Sequence, residues 1–208
     1  VYHPLVAATV WTPIRKMMGN IVPAFFWLPL AVYGVYIMFA SHRIVTAGTW
    51  SLVGATVLGW IGLNLFGLFQ NGVMRRRLAR ILNEDEDLPK DHAFVGFTTP
   101  KYSGLLDAHE DVGFLCFTPT ALLFVGEART VEMPRECVRG VVYRPNVHSL
   151  VGLGRWISVE GEASHHPVRM LFEPRERPTM LGNLLYGPRL RKKIEAWIGG
   201  SDQSNSQP

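Results

Sequence analysis

Two uncharged apolar stretches of bilayer-spanning length, seven short strand-like runs behind them and a closing amphipathic helix predict an α+β membrane protein. The expected architecture is a two-helix transmembrane hairpin followed by an antiparallel β-sandwich or barrel with a C-terminal helix. The 208-residue chain is 48% hydrophobic and only 18% charged, so it can bury enough apolar surface to offset chain entropy, which excludes a disordered chain. The mean hydropathy of +0.11 reflects apolar residues that are bunched rather than spread.

Residues 21–40 (IVPAFFWLPLAVYGVYIMFA) contain no charged side chain, and as a helix these 20 residues reach about 30 Å, the thickness of a hydrocarbon core. Residues 50–69 (WSLVGATVLGWIGLNLFGLF) repeat the pattern. A signal peptide has a shorter apolar run and no second span directly after it, so cleavage is not expected. Residues 41–49, with the single Arg43, are too few to do more than turn the chain, giving an antiparallel hairpin. Pro29 lacks an N–H and is expected to kink the first span. In the second, Ser51, Ala55 and Gly59 recur every four residues and line one face with small side chains, suited to close packing on the first helix or on a second copy.

Charge sets the orientation. The chain has no Asp or Glu before Glu84, whereas Arg15 and Lys16 precede the first span and Arg75, Arg76, Arg77 and Arg80 follow the second. The excess of Lys and Arg on both flanks places both termini in the cytoplasm and the turn outside. Arginine in lipid costs about 2.5 to 3.5 kcal/mol, so the arginine run also marks where the second helix leaves the bilayer. The same four arginines are candidates for contact with anionic headgroups. Because the net charge of +4 belongs to these flanks, it argues against nucleic-acid binding. Residues 1–20, with Trp11 beside Arg15 and Lys16, read as an interfacial segment. Residues 21–70 are the hairpin and 71–92 a basic then acidic linker, in which 78–82 extend the second helix until the NEDED run and Pro89 end it.

Beyond the linker the pattern changes to strands at 94–98, 112–118, 121–125, 130–133, 139–143, 156–160 and 168–172, rich in Val, Phe, Leu and Ile and separated by Gly, Pro or charged turns. Residues 178–198 return to helical spacing, with Leu190, Ile194, Trp197 and Ile198 on one face and Arg191, Lys192, Lys193 and Glu195 mostly on the other. Gly199 and Gly200 stop that helix, and residues 199–208 are expected to be a polar, disordered tail.

The strand region runs Gly113-Phe-Leu-Cys-Phe-Thr-Pro-Thr-Ala-Leu-Leu-Phe-Val-Gly126 and then Val131-Glu-Met-Pro-Arg-Glu-Cys-Val138. A strand ending in Thr, a two-residue turn, a second strand and an apolar-Pro segment leading to the next strand resemble bacterial PH-like and GRAM-like domains. The resemblance covers residues 94–198, and the hairpin ahead of it is similar to that of small membrane proteins in which such a domain is tethered to the inner membrane. It implies a PH-like cytoplasmic domain over 93–198 that binds or scaffolds and is not an enzyme.

Catalytic signatures are sparse. Asp107, His109, Glu110 and Asp111 supply the groups for a hard cation or for acid–base work, but with no second half to the site they read as a solvated loop. His165 and His166 are adjacent and fit a hairpin tip better than joint chelation. Gly152-Leu-Gly-Arg155 lacks the third glycine and following helix of a phosphate loop, and reads as a turn. Cys116 lies in an apolar strand, where a thiol is shielded, and it and Cys137 are not spaced for zinc. No catalytic residue, metal or cofactor is expected. The basic residues Arg189, Arg191, Lys192 and Lys193 read as the solvated face of the last helix. The expectation is therefore a membrane-tethered module that engages a protein, a peptide or a lipid headgroup. The alternatives are a membrane enzyme with a metal-assisted site around Asp107–Asp111, and a structural subunit that packs through Ser51, Ala55 and Gly59.

Overall fold

A computed structural model describes residues 10–42, 47–85, 88–89, 91–101, 109–163 and 166–200. Arg43, Asp107, His165, the residues 86–87 of the acidic run and the tail 201–208 lie outside the described residues. The chain divides into two compact units, residues 13–69 and a second unit of residues 1–12 and 70–208.

The first unit is a pair of helices, α1 (Pro13–Ser41) and α2 (Ala47–Phe66), both long and apolar enough to cross a membrane. Their packing inverts that of a soluble core. Gly19, Pro23 and Gly34 of α1 and Gly48, Ser51, Ala55 and Gly62 of α2 are buried, whereas Phe25, Phe39 and Trp50 are more than 70% exposed. Small side chains let the backbones approach, and a Cβ on Gly48 would stand 2.6 Å from the Gly34 carbonyl oxygen. The Ser51 hydroxyl donates to the Leu30 carbonyl at 2.9 Å, and Phe26 and Phe66 stack at 5.3 Å.

The second unit is built on a seven-stranded antiparallel sheet: β1 (His92–Thr98), β2 (Asp111–Phe117), β3 (Ala121–Gly126), β4 (Thr130–Pro134), β5 (Val138–Arg144), β6 (Trp156–Ala163) and β7 (His166–Pro174). All seven runs read from the sequence are strands, in the order β4-β3-β2-β1-β7-β6-β5. β4 and β5 are the two outer strands, yet only Arg135–Cys137 join them, a link that reaches about 14 Å at full extension. A flat sheet would hold its outer strands about 29 Å apart, so this one must curl towards closure. The curl encloses one core, with Val95, Phe97, Phe124, Ile157 and Phe172 meeting Leu190 and Ile194 of the C-terminal helix α4 (Met180–Gly199). Each of those two α4 side chains is fully buried, worth about 1.5 to 3 kcal/mol. The Trp197 indole N–H donates to the Thr118 carbonyl at 2.7 Å and fastens α4 to the β2–β3 turn.

Three expectations are corrected here. The second apolar helix does not run on into the arginines: it ends at Phe66, and after Gln70, in the left-handed region at φ 55°, a separate helix α3 (Asn71–Asp85) begins. Residues 71–85 are thus a packed helix and not a linker, because Met74, Leu78 and Leu82 recur every fourth residue and bury against Phe94, Val112, Phe114 and Cys116. β1 and β2 are covered on both faces, which explains why they read as continuous apolar runs rather than alternating ones. Finally, Trp11 does not lie open on a free segment. It is 8% exposed and belongs to this same outer cluster.

Candidate functional site

The residues of greatest chemical interest lie on the outer face of β1 and β7, on the side away from the sheet's core. Phe172 points into that core, so Glu173 sits on the opposite face, and Arg175 continues that side just past the strand. The cross-strand partner of Glu173 is Gly96. With no side chain at Gly96, the His109 imidazole fills the space, since a Cβ there would lie 1.9 Å from His109 Cδ2. Gly154 makes the matching allowance on the other flank, where a Cβ would lie 2.0 Å from Glu173 Oε1. The Gly152–Arg155 segment is a turn, as read: Gly152 takes the left-handed conformation at φ 69°, while Gly154 makes room for a carboxylate.

Two histidines grip that carboxylate. His109 Nε2 lies 2.9 Å from Glu173 Oε2, and His148 Nδ1 lies 3.0 Å from the same oxygen. His148 rides on a one-turn 3-10 helix, Val147–Val151, locked by reciprocal bonds between Asn146 and Ser149 and by the Ser149 hydroxyl donating to the Gly154 carbonyl. Burial alone would push the Glu173 carboxyl up, but the charge and hydrogen bonds of His148 and then His109 outweigh it and hold the carboxyl well below the usual range. Trp156 meets His109 edge-on at 5.3 Å, closing the network from the β6 side.

The next residue pair along ties in both stretches of chain that flank the apolar helices. The Arg175 guanidinium lies over the Trp11 ring at 4.6 Å, and its Nε donates to Asn71 Oδ1 at 2.9 Å. Asn71 Nδ2 in turn donates to the Arg175 carbonyl at 2.5 Å and to the Arg177 carbonyl at 3.2 Å. Glu127 receives the backbone N–H groups of Val10 and Trp11, each at 2.6 Å. The Trp11 indole N–H reaches the His109 carbonyl at 3.5 Å, so the histidine–carboxylate network and the Arg175 cluster are contiguous.

The acidic segment around His109 is therefore not a solvated loop. His109 and Asp111 are 2% and 1% exposed, and the three described members turn to different partners instead of converging. His109 faces Glu173; Glu110 accepts from Thr99 and pairs with Arg129; Asp111 accepts the N–H groups of Val112 and Ala128. Burial pushes the Asp111 carboxyl up despite those two bonds. Among the described residues no group of three His, Cys, Asp or Glu is arranged to hold a metal ion.

Of the four arginines after the second apolar stretch, Arg75 pairs with Glu176 at 2.6 Å, whereas Arg76, Arg77 and Arg80 are exposed on α3. Ser51 and Ala55 are buried between α1 and α2, and Gly59 faces the Trp27 side chain. The basic residues of α4 do not act as one patch: Arg191 pairs with Glu195 and Lys193 with Asp91, leaving Arg189 and Lys192 exposed. Sequence reasoning missed His148, Glu173 and Arg175, and it singled out Trp11 without its partners. Gly96 and Gly154, small residues within or beside strands, were the available signal, since a strand glycine often marks the close approach of another group.

Compared with protein-family models, curated proteins and solved structures, the chain matches none. Its function rests on its own geometry.

Proposed function

We propose that this chain is a membrane-tethered binding module: a transmembrane hairpin that holds a PH-like domain at the cytoplasmic face of a bacterial inner membrane. The observation that carries the reading is the convergence of Trp11 and Asn71 on Arg175. These residues lie just before α1 and just after α2, so both ends of the hairpin leave the bilayer on one side, where the folded sheet holds them. The large exposed aromatics and small buried residues of α1 and α2 support lipid as their surroundings. Arg15, Lys16 and the exposed Arg76, Arg77 and Arg80 support the cytoplasmic side. The curled seven-stranded sheet with α4 in its core supports the PH-like reading, with α3 as an added cover on its outer face.

The binding role is supported by a groove of about 470 Å³ along β4, lined by Val131, Met133, Val168 and Met170 with Lys101 and Arg169 among its polar members. β4 has a partner on one edge only, and an open strand edge beside an apolar groove suits capture of an extended peptide. A photoreactive residue at Glu132 in the full chain, irradiated in native membranes, is expected to give a discrete protein adduct. Adducts to lipid alone would remove the peptide-binding part of the proposal.

A further inference from the structure

A second cavity lies at the start of α4. It has a volume of about 190 Å³ and is lined by Arg177, Gly182, Leu185, Tyr186 and Arg189. The Arg177 guanidinium stands 5.9 Å from the Tyr186 ring, and among the described residues neither Arg177 nor Arg189 has an ion-pair partner. Burial, followed by the charge of Glu176, makes the Tyr186 hydroxyl a weaker acid than a free phenol, and the charges of Arg177, Arg75 and Arg189 oppose that shift.

The backbone beneath this cavity is held with unusual care. Buried Asn183 accepts the Arg177 N–H at 2.8 Å and donates to the Arg177 carbonyl at 2.8 Å, and Asn71 donates to that same carbonyl. Two buried asparagines thus fix the position of one exposed arginine. Asn71 opens α3 directly after the second apolar stretch, so the cavity is bonded to the point where the chain emerges from the hairpin. At its wall Leu185 is 70% exposed, an apolar side chain beside two cations, the pairing that the lipid–water boundary favours.

We infer that Arg177, Arg189 and Tyr186 form a site for the phosphate group of an anionic phospholipid, with Leu185 entering the acyl boundary. The inference rests on the membrane-tethered reading, because only at a bilayer surface do Leu185 and the arginines meet one ligand. The arginines bind the phosphate oxygens through charge-assisted hydrogen bonds, and the tyrosine hydroxyl donates a further bond. The site is distinct from the exposed α3 arginines, which offer charge without a cavity.

The test uses the full chain, purified in neutral detergent and titrated with phosphatidylglycerol or phosphatidylcholine, with retained lipid read by native mass spectrometry. Phosphatidylglycerol is expected to be retained in preference. A basic side chain near an anionic surface is worth about five-fold in affinity, so Arg177→Ala with Arg189→Ala is expected to lower it about twenty-five-fold. The backbone bonds of Arg177 survive that change, and an unaltered thermal melt confirms the fold. Arg139→Ala with Lys192→Ala, removing the same net charge, is expected to leave retention unchanged; an equal loss would mean diffuse attraction and overturn the site. Inorganic phosphate or glycerol phosphate that displaced the lipid at equal concentration would overturn the lipid as ligand. Alkaline extraction of native membranes separates the two levels of the account. Release of the chain removes the tether, whereas a chain that stays membrane-bound but shows no lipid preference removes this inference alone.

Discussion

Arg175 Nε donates to Asn71 Oδ1 at 2.9 Å across 104 residues of sequence, and both side chains are at most 5% exposed. Because the guanidinium also lies over Trp11, one side chain of β7's end holds the chain before the first apolar helix and the chain after the second. A buried cation is costly unless it is bonded, so this arrangement persists only if each contact is made.

Asn71→Ala removes the acceptor from a buried guanidinium and the donor from the Arg175 carbonyl. It is expected to destabilise the sheet unit by about 2 to 3 kcal/mol, whereas Arg76→Ala, on the exposed side of α3, changes stability by less than about 0.5 kcal/mol. Thermal unfolding of the full chain in detergent, followed by near-ultraviolet circular dichroism, measures the difference.

Glu173 titrates in the folded protein below its unfolded value of about 4.3. Its contribution to stability is therefore fully present above that value and is lost as pH falls through the lower folded value. Glu173→Gln is expected to cost about 3 kcal/mol at neutral pH by taking the carboxylate from the buried His109 and the partly buried His148 that pair with it, and to flatten the acid limb of the stability curve. Denaturant midpoints at a series of pH values below neutrality would reveal it; parallel acid limbs in the two proteins would contradict the assignment.

The thiols differ sharply. Burial, with a smaller effect of Asp91, pushes the Cys116 thiol up to about 12, whereas Cys137 is only partly buried. A maleimide at mildly alkaline pH is expected to label Cys137 in the folded chain and Cys116 only after denaturation, as peptide mapping of the adducts would establish.

Glycine substitutions in the hairpin should rank by what the added methyl meets. At Gly48 a Cβ would strike backbone, 2.6 Å from the Gly34 carbonyl oxygen, whereas at Gly59 it would meet the Trp27 side chain at 3.2 Å. Gly48→Ala is expected to cost about 1 to 3 kcal/mol, and Gly59→Ala less because the indole can shift. Resistance of the hairpin to proteolysis in detergent reads the ranking.

The strands and apolar helices were legible because each is written in local pattern: Trp156–Ala163 and His166–Pro174 extend the runs read from the sequence by three residues or fewer at each end. The buried network was not, because Trp11, Asn71, His109, His148, Glu173 and Arg175 are brought together only by the curl of the sheet. Trp11 followed by Arg15 and Lys16 has the composition of an interfacial anchor, and nothing in that composition announces its bond to Glu127 or its contact with Arg175. His109 and Asp111 illustrate the same limit. Charged residues announce themselves in a sequence, but their partners, and hence their burial, depend on distant strands.

The most direct test of the account is topology in living cells: reporter fusions at Thr46 and at the C-terminus, combined with alkaline extraction of the membranes. The chain is expected to stay in the membrane pellet, with the Thr46 reporter active outside the cytoplasm and the C-terminal reporter active within it. Release into the soluble fraction, or both reporters on one side, would contradict a hairpin whose two ends are held together at Arg175.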